Sequence, residues 1–140
     1  MINHNDFKLA ADFLLTSKDS SGLNLECIYR CSSGRYYYEL FHIVKEWLQI
    51  SFPQEYKASG GGTHEALQVC CSLIFDKLED NQFEKLERKL RNLHSLRVKA
   101  DYYLTQTFSK GDLITMQSET ERTISLINVL TEKYSPTKTA

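Results

Sequence analysis

A chain of 140 residues suits one domain and is long enough to bury a single core. Its 25% charged and 41% apolar residues are ordinary globular values, and a formal net charge of −1 excludes nucleic-acid binding driven by bulk charge. There is no apolar run of roughly 18 residues and no charged-then-apolar leader, so neither a membrane span nor secretion is expected, and the cytoplasm is the expected compartment.

Apolar periodicity predicts a first helix over about 5–16, with Phe7, Ala10, Ala11 and Leu14 on one face. Residues 17–24, rich in Ser, Asp and Gly, read as a loop. A long second helix is expected over about 25–50, its stripe running through Tyr37, Leu40, Phe41, Val44, Trp47 and Leu48. It should stop before Pro53, because the residue preceding a proline disfavours the α region. Gly60-Gly61-Gly62 reads as a flexible joint before a third helix over about 64–78, with Thr63 as N-cap. A fourth helix is expected from Asn81, three residues before Glu84 as in a capping box, to about Tyr103. After a break at Ser109-Lys110-Gly111, a fifth should run over 113–134 with Ile124, Ile127, Leu130 and Tyr134 facing in. No stretch alternates apolar and polar residues for long enough to make a strand. The pattern is that of an all-α, up-and-down bundle of four main helices plus a shorter fifth. It forms a single domain over 1–134 with a flexible tail at 135–140.

The fourth helix carries the main functional signal. Leu86, Leu90, Leu93, Ala100 and Leu104 recur at steps that mark one buried stripe, and Arg97 falls on it where another Leu would be expected. His94 and Asp101 share its face, three residues before and four after. A guanidinium is kept inside only if it is paired or faces a cleft, so a structural Arg97–Asp101 salt bridge and a functional cleft are both open. Of 17 basic residues, six lie within 85–99 against one of the 18 acidic, leaving 11 against 17 elsewhere. A solvated face with partners such as Glu84 and Arg88 accounts for this basic helix as well as a binding surface does.

Other candidates are weaker. The three glycines lack the preceding strand and following Lys-Ser/Thr of a phosphate loop. His64 suits a capping or surface role, and nothing is assigned to His4. Arg35, Tyr38 and His42 make a polar strip on the second helix, although a hydrogen-bonded histidine at the core edge accounts for His42 too. Were the second and fourth helices antiparallel, that strip could approach His94, Arg97 and Asp101. Cys27, Cys31, Cys70 and Cys71 match neither a zinc knuckle nor a disulfide framework, and reduced core cysteines are expected. The run Tyr36-Tyr37-Tyr38 covers most of a helix's circumference, so some of its rings are expected to meet another surface.

The segment Ser33-Gly34-Arg35-Tyr36-Tyr37-Tyr38-Glu39-Leu40-Phe41-His42 resembles the second-helix signature of HEPN (higher eukaryotes and prokaryotes nucleotide-binding) domains: an Arg, paired aromatics, then Phe-His. Leu96-Arg97-Val98-Lys99-Ala100-Asp101-Tyr102 resembles the LR..ADY stretch late in one group of them. The helix order matches as well, over nearly the whole chain. The resemblance implies a HEPN-like bundle that forms a homodimer, with a cleft between protomers for RNA or a nucleotide. Many such proteins are metal-independent ribonucleases of toxin–antitoxin, CRISPR and phage-defence systems. In these an Arg, followed four to six residues later by a His, forms the site from both protomers. The 2′-hydroxyl attacks the adjacent phosphate; imidazole serves as acid or base, and guanidinium holds the phosphate oxygens. No cofactor or metal is expected.

Arg88 and His94 satisfy that spacing formally. Alignment on Ala100-Asp101-Tyr102 instead sets Arg97 at the family's Arg and Asp101 where its His stands, and it is preferred because Arg88 lies off the apolar stripe. Ionised aspartate only accepts hydrogen bonds, so His94 or His42 would have to supply the imidazole. The resemblance thus nominates Arg97, His94, Asp101 and His42 for catalysis, and Arg35, Tyr38, Arg88, Arg91, Lys99 and Tyr102 for holding RNA. Three readings follow. One is a ribonuclease; another is an inactive module that binds RNA, a nucleotide or a partner protein. The third is a subunit controlled by a nucleotidyltransferase antitoxin, with Tyr102 or Tyr103 as modification sites.

Overall fold

The computed structural model describes residues 1–134, and they are all-helical: α1 (His4–Thr16), α2 (Leu25–Ser51), α3 (Pro53–Ala58), α4 (His64–Leu78), α5 (Asn81–Tyr102) and α6 (Lys110–Lys133). Among the described residues there is no strand, and no helix is long and apolar enough to cross a membrane. The tail expected at 135–140 lies outside the described residues.

The helices start where side chains take up orphan backbone donors. Asn3 and Asp6 form a capping box on α1, and Thr63 Oγ1 accepts the Ala66 N–H at 3.0 Å on α4. Two starts differ from expectation. Ser109 and Asp112 make a reciprocal box, Asp112 N–H to Ser109 Oγ at 3.1 Å and Ser109 N–H to Asp112 Oδ2 at 2.9 Å. The stretch read as a break therefore opens α6, three residues earlier than predicted. Pro53 stops α2 but also occupies the first turn of a sixth, short helix, α3, where its missing N–H has no cost. That helix closes on Gly60 and Gly61, both at φ 101, a conformation that favours glycine. These two glycines are therefore a helix terminator, beyond the flexible joint expected of them.

The helices gather into two compact units, one of Met1–Leu40 with Leu93–Glu121, the other of Phe41–Asn92 with the chain from Arg122. In the first unit Ala11, Ile28, Leu40, Leu93, Ala100, Phe108 and Met116 are buried. Tyr36 and Tyr37 join them, only 6% and 3% exposed. The Tyr36 hydroxyl donates to Asp12 Oδ1 at 2.5 Å and accepts from Gln117 Nε2 at 3.3 Å. Burial, with Asp12 beside it, pushes that hydroxyl's pKa up to about 12, and burial raises Tyr37 as well. These two rings are therefore enclosed within the chain itself and leave little surface for a second molecule. Ala10, expected inward, is exposed.

In the second unit Trp47 stacks on Phe83 at 6.2 Å, and Phe52 and Tyr134 pack on Phe83 at 5.5 and 5.7 Å. Cys70 and Cys71 are fully buried here, and burial pushes the Cys70 thiol up to about 12. Cys27 and Cys31 in the first unit are exposed, so only half of the cysteine expectation holds. α5 starts at Asn81 as expected, but its cap is Asp80. Asp80 Oδ1 accepts the Gln82 N–H at 3.0 Å, and Oδ2 accepts from Lys133 Nζ and the Tyr134 hydroxyl, both at 2.6 Å.

Those three donors, Lys133 foremost, hold the Asp80 carboxyl at about 2, below its ordinary 3.8. A carboxylate depressed on folding stabilises the fold above its unfolded pKa and loses that contribution as pH falls through the folded one. Asp80→Ala is expected to cost about 1–2 kcal/mol at pH 7, the usual range for a lost cap. The difference between variant and wild type should close between about pH 4 and pH 2. Urea unfolding at both ends of that window checks it; an undiminished difference at the acid end counts against the assignment.

Candidate functional site

Extending the α2 stripe backwards from Tyr37 lands on Ser33, Arg30 and Glu26, three polar residues on a line that is otherwise buried. Arg30 is 8% exposed. Its Nη1 donates to the carbonyls of Lys99 and Ala100, each at 3.0 Å. Its Nη2 donates to Tyr103 O and Glu26 Oε1, each at 3.2 Å, and to Gln106 O. Glu26 Oε1 also accepts the Phe108 N–H at 2.6 Å. That backbone bond, followed by Arg30, holds the Glu26 carboxyl below its usual range. The pair caps the end of α5 and pins the turn after it. This is why α5 stops at Tyr102 and why Leu104, expected on the buried stripe, is 74% exposed. Sequence reasoning missed Arg30 and Glu26; the polar continuation of the α2 stripe was the signal available.

On this fixed end of α5, Arg97 occupies its place in the stripe with a side chain 13% exposed. Nε stands 2.9 Å from Asp101 Oδ2, but its N–H is not aimed at the carboxylate and makes no hydrogen bond. Nη2 donates to the Tyr38 hydroxyl at 2.7 Å. The guanidinium lies 5.1 Å from the Tyr38 ring and 5.8 Å from that of Tyr102. Asp101 packs beside Gly34 of α2, where an added methyl group would stand 3.6 Å from Asp101 Oδ1, an ordinary contact.

Arg35 approaches the same ring, its guanidinium 5.2 Å from Tyr38 and 5.6 Å from Phe7. It makes no hydrogen bond or ion pair among the described residues. Tyr38 is thus flanked by two guanidiniums, one paired with a carboxylate and one held by rings alone. The predicted residues brought together in the first unit are Arg35, Tyr38, Arg97, Asp101 and Tyr102, the last 65% exposed. His94 sits one turn before Arg97 with its ring 6.0 Å from that of buried Tyr37. Lys99, expected to hold RNA, is engaged with Asp112 at 3.0 Å.

The remaining candidates belong to the second unit. The His42 ring lies 5.1 Å from that of Phe41, and the Phe41 ring lies 4.4 Å from that of His64. Arg91 pairs with Glu87 one turn away. Arg88 lines a polar cleft with Asp80, Lys85 and Lys133. Among the described residues, no group of three or more His, Cys, Asp or Glu is gathered that could hold a metal ion. No family model matches the chain, and no curated protein and no solved structure matches it.

Proposed function

We propose that the chain is a HEPN-like RNA-binding protein whose phosphate-binding face is built from Arg35, Tyr38, Arg97 and Tyr102. The observation that carries this reading is Arg35, a guanidinium oriented by two rings with its donors uncommitted. A planar fork of that kind matches phosphate oxygens. Tyr102, exposed beside Arg97, offers a π-face on which an unpaired base can stack. A homodimer would double the face, and a nucleotidyltransferase partner would be one means of controlling it.

Binding without cleavage is the form the geometry favours. The group against Arg97 is Asp101, a carboxylate engaged as the guanidinium's ion-pair partner, and the His94 ring lies 6.0 Å from that of Tyr37. Cleavage is the second reading, with His94 as acid–base group and Arg97 stabilising the phosphorane-like charge; its support is their shared helix face. Incubation of purified protein with RNA, without added metal, separates the two. Products ending in 2′,3′-cyclic phosphate, lost in His94→Ala, would establish cleavage.

The binding reading is tested by fluorescence anisotropy with labelled single-stranded RNA over a range of salt. Affinity should fall steeply as salt rises, because phosphate contacts release counterions. Arg35→Ala should weaken binding about tenfold and lower the salt slope by about one. Equal affinity and slope in wild type and Arg35→Ala would remove the basis of the reading.

A further inference from the structure

We propose that Cys27 and Cys31 form a two-thiolate site for one thiophilic monovalent cation of the Cu(I) class. Both are exposed on the first two turns of α2, and their sulfurs stand 4.0 Å apart. That separation selects the occupant. Cβ atoms one turn apart on a helix are about 5–6 Å from each other, whereas a disulfide needs about 3.5–4.5 Å. A direct sulfur–sulfur bond would therefore require α2 to distort. Its first turns are held in place: Glu26 and Arg30, interleaved with the two cysteines, grip Lys99, Ala100, Tyr103, Gln106 and Phe108.

A bridging ion requires no such change. Two metal–thiolate bonds of about 2.3 Å span about 4.0 Å in trigonal geometry and about 4.6 Å when collinear. Divalent zinc seeks four ligands, and no third His, Cys, Asp or Glu is gathered with this pair among the described residues. A soft monovalent d10 ion takes two thiolates alone when collinear, or two thiolates and one small exogenous ligand at the trigonal spacing seen here, so the chain need supply no third ligand. On loading, two S–H bonds break, two sulfur–metal bonds form, both protons pass to solvent, and no electron is transferred. The loaded site carries a charge of −1, which at Cys31 Arg35 favours and Asp101 opposes.

The test is anaerobic titration of the reduced chain with Cu(I) against a chromophoric Cu(I) chelator, with native intact-mass measurement of the product. One Cu(I) per chain is expected in the wild type, with affinity at least about tenfold lower in Cys27→Ser and in Cys31→Ser. Equimolar Zn2+ should not displace it. Phenylarsine oxide, which bridges paired accessible thiols, should block uptake by the wild type and so give an answer that does not depend on how the variants fold. Cys70 and Cys71, fully buried, should not compete for it. No uptake by the wild type, uptake unchanged by the substitutions or the arsenical, or displacement by Zn2+ would each overturn the proposal.

Discussion

Arg30→Ala is expected to remove about 2–3 kcal/mol of unfolding free energy, because a buried guanidinium giving charge-assisted hydrogen bonds is lost while the remaining Glu26 carboxylate still reaches solvent. Four carbonyls lose a charged donor, and Glu26 loses its cation while still bound to the Phe108 N–H. Against a total of about 5–15 kcal/mol for a chain of this class, that is a large share. Arg30→Lys restores the charge but not the fork, so it should recover less than half of the loss. Chemical denaturation of the three proteins checks this. A cost below about 1 kcal/mol for Arg30→Ala would mean that water replaces the guanidinium at those carbonyls and that the network is dispensable.

Arg97 and Asp101 should give effects of opposite sign on RNA affinity. Arg97→Ala removes a cation from the proposed phosphate face and should weaken binding by about tenfold or more. Asp101→Asn keeps the shape over Gly34 but removes the countercharge 2.9 Å from Arg97 Nε. It should tighten binding by several-fold, with the gain greatest at low salt, where charges are least screened. Both substitutions should lower stability modestly, since each dissolves the ion pair. Salt-dependent anisotropy beside denaturation separates architecture from binding. Parallel losses of affinity in the two variants would reduce the pair to a structural bridge, and tighter binding by Asp101→Asn alone would not.

The helices were legible because their apolar spacing is strong. The α2 stripe from Tyr37 to Leu48 is buried throughout, and Arg97 is enclosed where the α5 stripe placed it. Boundaries were less so, because they depend on polar side chains whose partners are local or distant. Ser109 and Asp112 carried a box that glycine at 111 disguised as a break. Leu104 continued the stripe in sequence, but a residue over 70 positions away, Arg30, ends the helix before it. Asp80 could not be read as the cap in preference to Asn81, since part of its advantage comes from Lys133 and Tyr134. At the candidate site, periodicity revealed that Arg97 was unusual. It could not reveal that Arg35 and Arg97 flank one tyrosine ring, that Lys99 is committed to Asp112, or that Tyr36 and Tyr37 are enclosed.

The division of the chain into units has a consequence for how the molecule can be cut and inherited. Unit boundaries fall inside α2, α5 and α6, after residues 40, 92 and 121. No contiguous stretch of sequence contains one unit without carrying part of the other. A truncation, a fusion junction or a recombination crossover therefore cannot transplant the Arg35–Arg97 face by itself. Its lineage can alter that face residue by residue, but can exchange it only by exchanging most of the chain.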